Sequence, residues 1–227
     1  MNKAIKKVKK KFQLKDPGSA ITHFIGAVMA LFAAIPLLIV AARYDSPLYV
    51  IAFSVYLLSL VLLYSASTIY HSLDISKRIN TLLKKIDHMM IFVLIAGTYT
   101  PICLFVLTPP ASIILLAVIW GIAALGILIK AFWVYCPKWI SSILYIGMGW
   151  ACVFAFTQIY QNMSGIAFGL LLGGGIAYTV GGILYAIKFS AFNKRFPKFG
   201  SHEIFHLFVL GGSVCHYIMM FAVMPAI

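Results

Sequence analysis

His202 and His206 stand four residues apart, so on a helix their imidazoles share one face and can grip a metal ion together. The intervening residues complete His202-Glu203-Ile204-Phe205-His206, an H-E-x-x-H string. In zinc peptidases that string supplies two ligands and a general-base Glu. A third ligand is needed, and His71 is available if the fold brings it to the same depth. Ser67 lies one turn before His71 and shares its face, where its hydroxyl could hold water or substrate. A helical Ser also commonly bonds back to its own backbone. Asp87 offers a carboxylate that could hold and deprotonate a water. It could equally cap a helix or pair with Lys84 or Lys85. The competing reading of the histidines is an interfacial set bonded to loop carbonyls.

The elements that position these residues follow from composition. Of 227 residues, 63% are hydrophobic and only 10% are charged. A soluble domain carries roughly 25% charged residues. The formal charge of +13 has too little polar surface around it for a nucleic-acid binder, and the chain is too apolar to be disordered. Uncharged runs cover Gly18–Ala42, Ser46–Leu73, His88–Ile129, Trp139–Ile187 and Ile204–Ile227. The third run breaks at Thr108-Pro109-Pro110, and the fourth at the polar stretch Gln158–Ser164. A crossing needs ~20 apolar residues, so seven helices are expected, at about 18–42, 46–73, 87–108, 111–131, 139–160, 165–187 and 203–226. The fold class is an all-α membrane protein, a seven-transmembrane helix bundle. It forms one domain, 18–227, behind a basic tail, 1–17.

Orientation follows from the cations. Lys and Arg residues of the tail and of the connections after the second, fourth and sixth helices total 17 of 18, and Arg43 alone lies opposite. The N-terminus is therefore expected in the cytoplasm and the C-terminus outside, in a multi-pass bacterial plasma-membrane protein. The first apolar run exceeds a signal-peptide core and reads as a retained helix. This topology places His23, His71, His88, His202 and His206, with Asp87, near the cytoplasmic edge. His216 lies deeper, where packing or an interhelical bond is its expected role. Ionisable groups at membrane depth are costly and mark functional sites. Cys103, Cys136, Cys152 and Cys215 form no C-x-x-C pair and are expected as small packing residues. Gly165, Gly169 and Gly173 suggest a close-packed face on the sixth helix.

Five motifs in order complete the pattern. They are Asp16–Gly26 with Ile21-Thr22-His23, then Ser67-x-x-x-His71, Lys85-Ile86-Asp87-His88, Ala96-Gly97-Thr98-Tyr99-Thr100-Pro101, and Ser201-His202-x-x-x-His206. This constellation resembles the bacterial hemolysin III branch of the progestin and adipoQ receptor family, from about Asp16 to the end. The resemblance implies a seven-helix bundle with its N-terminus inside. It implies a zinc ion held by His71, His202 and His206, with Asp87 contacting the metal-activated water and Ser67 one turn before the first ligand. Receptor relatives are similar to alkaline ceramidases. Glu203 stands where some of them have a neutral residue, which leaves the base open between Asp87 and Glu203.

The expected function is zinc-dependent hydrolysis of a lipid-like amide or ester near the cytoplasmic face. Membrane lipids are the expected partners, with no nucleic acid and no dedicated protein partner. The alternative is a non-enzymatic membrane protein, cytolytic, receptor-like or concerned with lipid homeostasis, with a structural zinc site. An intramembrane protease fits less well, because its motif normally lies in an early helix with a carboxylate third ligand. A transporter lacks the expected pair of broken helices.

Overall fold

A computed structural model describes residues 14–187, 190–196 and 199–224. Most of the basic tail lies outside the described residues. Nine α-helices are described: α1 Pro17–Ala41, α2 Pro47–Ser72, α3 Lys77–Phe105, α4 Ala111–Phe132, α5 Lys138–Gly149, α6 Phe156–Asn162, α7 Gly165–Ile187, α8 Ser190–Arg195 and α9 Ser201–Val223. A 3-10 segment, Trp150–Ala155, joins α5 to α6. Counting Lys138–Asn162 as one crossing, seven stretches are long and apolar enough to span a membrane. The chain is a seven-helix membrane bundle. Large apolar side chains such as Phe32, Phe132, Phe154 and Ile166 point outward, as a lipid solvent allows.

Local chemistry explains the helix starts. Pro47 and Pro17 occupy first-turn positions, where a missing N–H costs nothing. Ser46 Oγ accepts from the Leu48 amide at 3.3 Å, and Ser76 Oγ from the Ile79 amide at 3.3 Å. The Ser76 cap starts α3 ten residues before the expected position at Asp87. Lys77, Arg78, Lys84 and Lys85 therefore ride on the first turns of α3, and Asp87 lies inside a helix and is no cap.

The helices pack as a ring: α1 on α2, α2 on α3, α3 on α4, α4 on α5 and the 3-10 segment, α5 on α7, α7 on α9, and α9 back on α1. Helix α3 also touches α5 and α9 and is the most buried span. Gly97 lets α3 meet α2 closely, since a Cβ there would strike Ser59. The expected glycine face of the sixth crossing is corrected. A Cβ on Gly165, Gly169 or Gly173 meets nothing, whereas one on Gly174 would strike His216. The buried small residues of α7 are Ala167, Gly174 and Gly181, seven apart. A spacing of four drifts off the seam of a 3.6-residue helix, whereas seven stays on it.

Two further departures are polar. Lys130 was expected in a connection, but it ends α4 fully buried. Its Nζ donates to Ser141 Oγ at 2.6 Å and to Cys136 Sγ at 3.0 Å. The fifth crossing tightens from α to 3-10 winding at Trp150, about 18 Å along from Lys138 at 1.5 Å per residue. Backbone groups at membrane depth must be satisfied inside the protein. Tyr99 of α3 does this: its hydroxyl donates to the Gly149 carbonyl at 2.6 Å and accepts from the Cys152 amide at 2.8 Å. Tyr99→Phe strands both backbone groups, each worth roughly 1–3 kcal/mol when unpaired. The expected outcome is a lower unfolding temperature in detergent with metal content retained. An unchanged unfolding temperature would show that the segment satisfies itself.

Candidate metal centre

The C-terminal turn of α2 delivers His71, and the first two turns of α9 deliver His202 and His206. Glu203 sets the start of α9 by returning to its N-terminus, with Oε2 accepting from the Gly200 amide at 2.7 Å. That cap, one half of a capping box because Gly200 has no side chain to return the bond, is one physical meaning of an acid at the third helical position. Helix α9 then projects His202 and His206 from one face toward α2, with ring centroids 4.5 Å apart.

One ring nitrogen from each of His71, His202 and His206 lies within 4.8 Å of the others. His71 Nε2 and His202 Nε2 are 3.3 Å apart. Tetrahedral zinc with Zn–N of ~2.0–2.1 Å sets nitrogens ~3.4 Å apart, so this pair already has the separation of two ligands. The outer partners select the ligating nitrogens. His71 Nδ1 lies 2.9 Å from Asp16 Oδ2 and donates to it, which turns Nε2 inward. His206 Nδ1 lies 3.4 Å from Thr22 Oγ1, whose own proton goes to the backbone of Gly18 or Ser19. A carboxylate or oxygen behind a ligating imidazole is the usual way a protein fixes tautomer and orientation. The donor set fits a divalent metal of the zinc type, and the described residues can hold one ion there.

Asp16 is the residue that the sequence reading named within a motif and gave no role. The hydrogen bond from His71 holds its carboxyl below the usual carboxylate range, with partial burial opposing. The segment around it is fastened to the end of α2: Asp16 N donates to His71 O at 2.9 Å, and Lys15 Nζ to Tyr70 O at 3.3 Å. The only available signal was an acid directly before the helix-opening Pro17.

The remaining site residues separate into two groups. Ser67, Asp87, His23, His202 and His206 line one long, mostly apolar cavity that runs between α3, α5, α7 and α9. Ser67 is 1% exposed and Asp87 8% exposed, so neither is a surface group. Asp87 Oδ2 lies 3.3 Å from His88 Nδ1, and no ion pair joins it to Lys84 or Lys85 among the described residues. Glu203 stands apart from this cavity. Its second oxygen, Oε1, accepts from Ser19 Oγ at 2.8 Å, so the two oxygens tie α9 to α1.

His23 is the fourth ring of the cluster. It stacks on His206 at 3.6 Å between centroids, and Tyr64 meets it edge-on at 5.0 Å. Both its ring nitrogens are buried with no hydrogen-bond partner in the protein. His216 fulfils its expected role away from the centre, with Nε2 3.2 Å from the Leu171 carbonyl.

A polytopic membrane protein with three convergent histidines and a buried carboxylate defines the class. The Haemolysin-III related family matches residues 12–217. The chain is 41% identical over 215 residues to Hemolysin-3 of Bacillus cereus, covering 94% of each. It is 39% identical over 207 residues to the Hemolysin-3 homolog of Bacillus subtilis strain 168, covering 91% of this chain and 93% of that one. The chain belongs to the haemolysin-III-related family and is a multi-pass cell-membrane protein.

The Asp16–His71 bond gives a direct expectation. Asp16→Asn keeps the shape but weakens the acceptor, and loss of such an outer partner typically costs ~10–100-fold in metal affinity. Competition titration of purified protein against a zinc chelator measures it. Wild-type affinity in Asp16→Asn would remove Asp16 from the centre.

Proposed function

We propose that the protein is a zinc-dependent hydrolase of a lipid-like amide or ester, working at the cytoplasmic end of the bundle. The observation that carries this is a buried, unpaired-with-lysine carboxylate, Asp87, lining the same apolar cavity as His202 and His206. A purely structural zinc site has no need of a cavity or of a buried acid beside it.

Zinc held by His71, His202 and His206 supplies Lewis acidity, polarising a carbonyl and acidifying water. The protein's own groups supply the rest. Asp87 accepts the proton from the attacking water and returns it to the leaving amine or alkoxide. Ser67 hydrogen-bonds the water and fixes its direction of approach. His23 supplies a ring N–H to the carbonyl oxygen as charge develops on it, an electrostatic role that a partnerless buried imidazole is set up to play. The apolar walls receive acyl chains and exclude bulk water. Glu203 stabilises the start of α9, which leaves Asp87 as the carboxylate facing the reaction.

The relatives' name refers to haemolysis, and lysis follows in this reading from turnover of lipid. It then depends on the zinc ligands and on Asp87. The test is purified zinc-loaded protein assayed on ceramide-like lipids. Asp87→Asn is expected to lower turnover by ~10²–10⁴, the usual worth of a general base, with zinc content unchanged. Turnover that survives Asp87→Asn would overturn the mechanism, and an equal loss in Glu203→Gln would move the base to Glu203.

A further inference from the structure

We propose that Lys130 and Cys136 form a modification site, in which a small peroxide joins them through a covalent sulfur–nitrogen bond. The site lies at the lysine-rich end and stands whether or not the hydrolase reading holds.

Lys130 ends α4 with no exposed surface. An ammonium taken out of water needs an anion or strong acceptors beside it. No carboxylate pairs with it among the described residues. Its partners are Ser141 Oγ at 2.6 Å and Cys136 Sγ at 3.0 Å, with the Tyr145 ring 5.8 Å away. Of these groups the thiol ionises closest to neutral pH, so Cys136 is the one that can neutralise the buried charge. The backbone serves the pairing. Cys136 N donates to Trp133 O at 3.3 Å, a turn that carries the sulfur back to the end of α4. Ser141 Oγ accepts from Lys130 and has its own proton for Cys136 Sγ, 3.3 Å away. Burial pushes the Cys136 thiol up, but the hydrogen bonds from Ser141 and Lys130 and the charges of Lys130 and Lys84 outweigh it and hold the thiol below its ordinary value. The thiolate is the form that reacts with oxidants.

Access comes from one side. Cys136 and Ser141 line a cavity together with Lys84, Lys138, His88 and Tyr185, whereas Lys130 lies behind the sulfur and outside the lining. A small oxidant reaches the sulfur from the cavity while the amine stays in contact on the buried side. Cys136 is only 7% exposed, which screens it from the thiol of another protein. A sulfenic acid formed here therefore meets nitrogen first.

The thiolate attacks one oxygen of hydrogen peroxide. The O–O bond breaks, sulfur becomes a sulfenic acid, and the second oxygen leaves as hydroxide. Sulfur gives up two electrons and the peroxide takes them. The hydroxide removes a proton from Lys130, leaving water and a neutral amine. The amine nitrogen then attacks sulfur: the N–S bond forms, the S–O bond breaks, and the departing hydroxide leaves with an amine proton as a second water. Thiolate, ammonium and peroxide thus become a sulfenamide and two waters. Sulfenic acids condense in this way with backbone nitrogen, and here a side-chain nitrogen is already in place. The product exchanges a buried ion pair for a neutral link, which removes the desolvation cost of both charges.

The experiment treats the reduced, purified full chain in neutral detergent with hydrogen peroxide and maps its fragments by mass spectrometry. Lys130 and Cys136 are expected to be joined with a net loss of two hydrogen atoms and no gain of oxygen. Dithiothreitol is expected to release the link, and Cys136→Ser to abolish it. Cys136 that stays reduced, or that passes to sulfinic acid without a link, would overturn the proposal. A link that retains oxygen would overturn the direct sulfur–nitrogen bond. Labelling with iodoacetamide across pH tests the ion pair separately. Wild-type Cys136 is expected to keep reacting below the ordinary thiol pKa of ~8.5, and Lys130→Met to slow that reaction at neutral pH by roughly tenfold or more, the effect of removing one close opposite charge. Equal rates in the two proteins would overturn the pairing. If Lys130→Met does not fold, the wild-type profile decides alone: labelling that falls away through the ordinary thiol range counts against the thiolate.

Discussion

Lipid offers no hydrogen-bond partner, so an ionisable group buried in this bundle is costly unless the protein or a ligand supplies one. That constraint organises the lysine-rich end. Asp16 accepts a hydrogen bond from His71 and Thr22 one from His206, and Glu203 ties Ser19 to the first turn of α9. These bonds come from α1 or the residues just before it, and they orient rings on α2 and α9. The three elements are therefore fixed by the polar groups that also leave three imidazole nitrogens facing one another. A metal ion bound there would complete this arrangement by relieving the lone-pair repulsion among packed neutral histidines.

The same constraint explains the middle of the membrane. The 3-10 segment Trp150–Ala155 is tolerated because Tyr99 supplies both a donor and an acceptor to the backbone at its start. Gly149, Trp150 and Cys152 lie on the cavity wall at this change of winding, where a continuous α-helix would present side chains at other angles. The small-residue seam of α7 against α9 keeps the opposite wall narrow. Polar satisfaction in one place thus shapes an apolar space in another.

The spans and the shared face of His202 and His206 were legible in the sequence because each rests on a short-range rule, whereas His71, 131 residues from His202, joined them only by its expected depth and by resemblance. Charge-free runs mark crossings, and four-residue spacing puts His202 and His206 on one face. Helix ends were legible where Pro or Ser stands at the start, as at Pro47. The start of α3 was not, because Lys77–Lys85 is a charged helical extension and charge counting treats it as a loop. The roles of Asp16 and Glu203 needed the fold as well. Asp16 is 55 residues from His71 and Ser19 184 from Glu203, so no local pattern joins them. Tyr99 and Gly97 were visible as parts of a motif, yet their work is structural: one bridges the 3-10 junction of the fifth crossing, the other admits α2.

The central claim is that His71, His202 and His206 together hold a zinc ion. Metal analysis of purified wild-type protein, with His71→Ala and His206→Ala alongside, tests it most directly. The account predicts stoichiometric zinc in the wild type and loss of it in both variants. Zinc content that is unchanged in both variants, or a wild-type protein that takes up no zinc when supplied with it, would contradict the account.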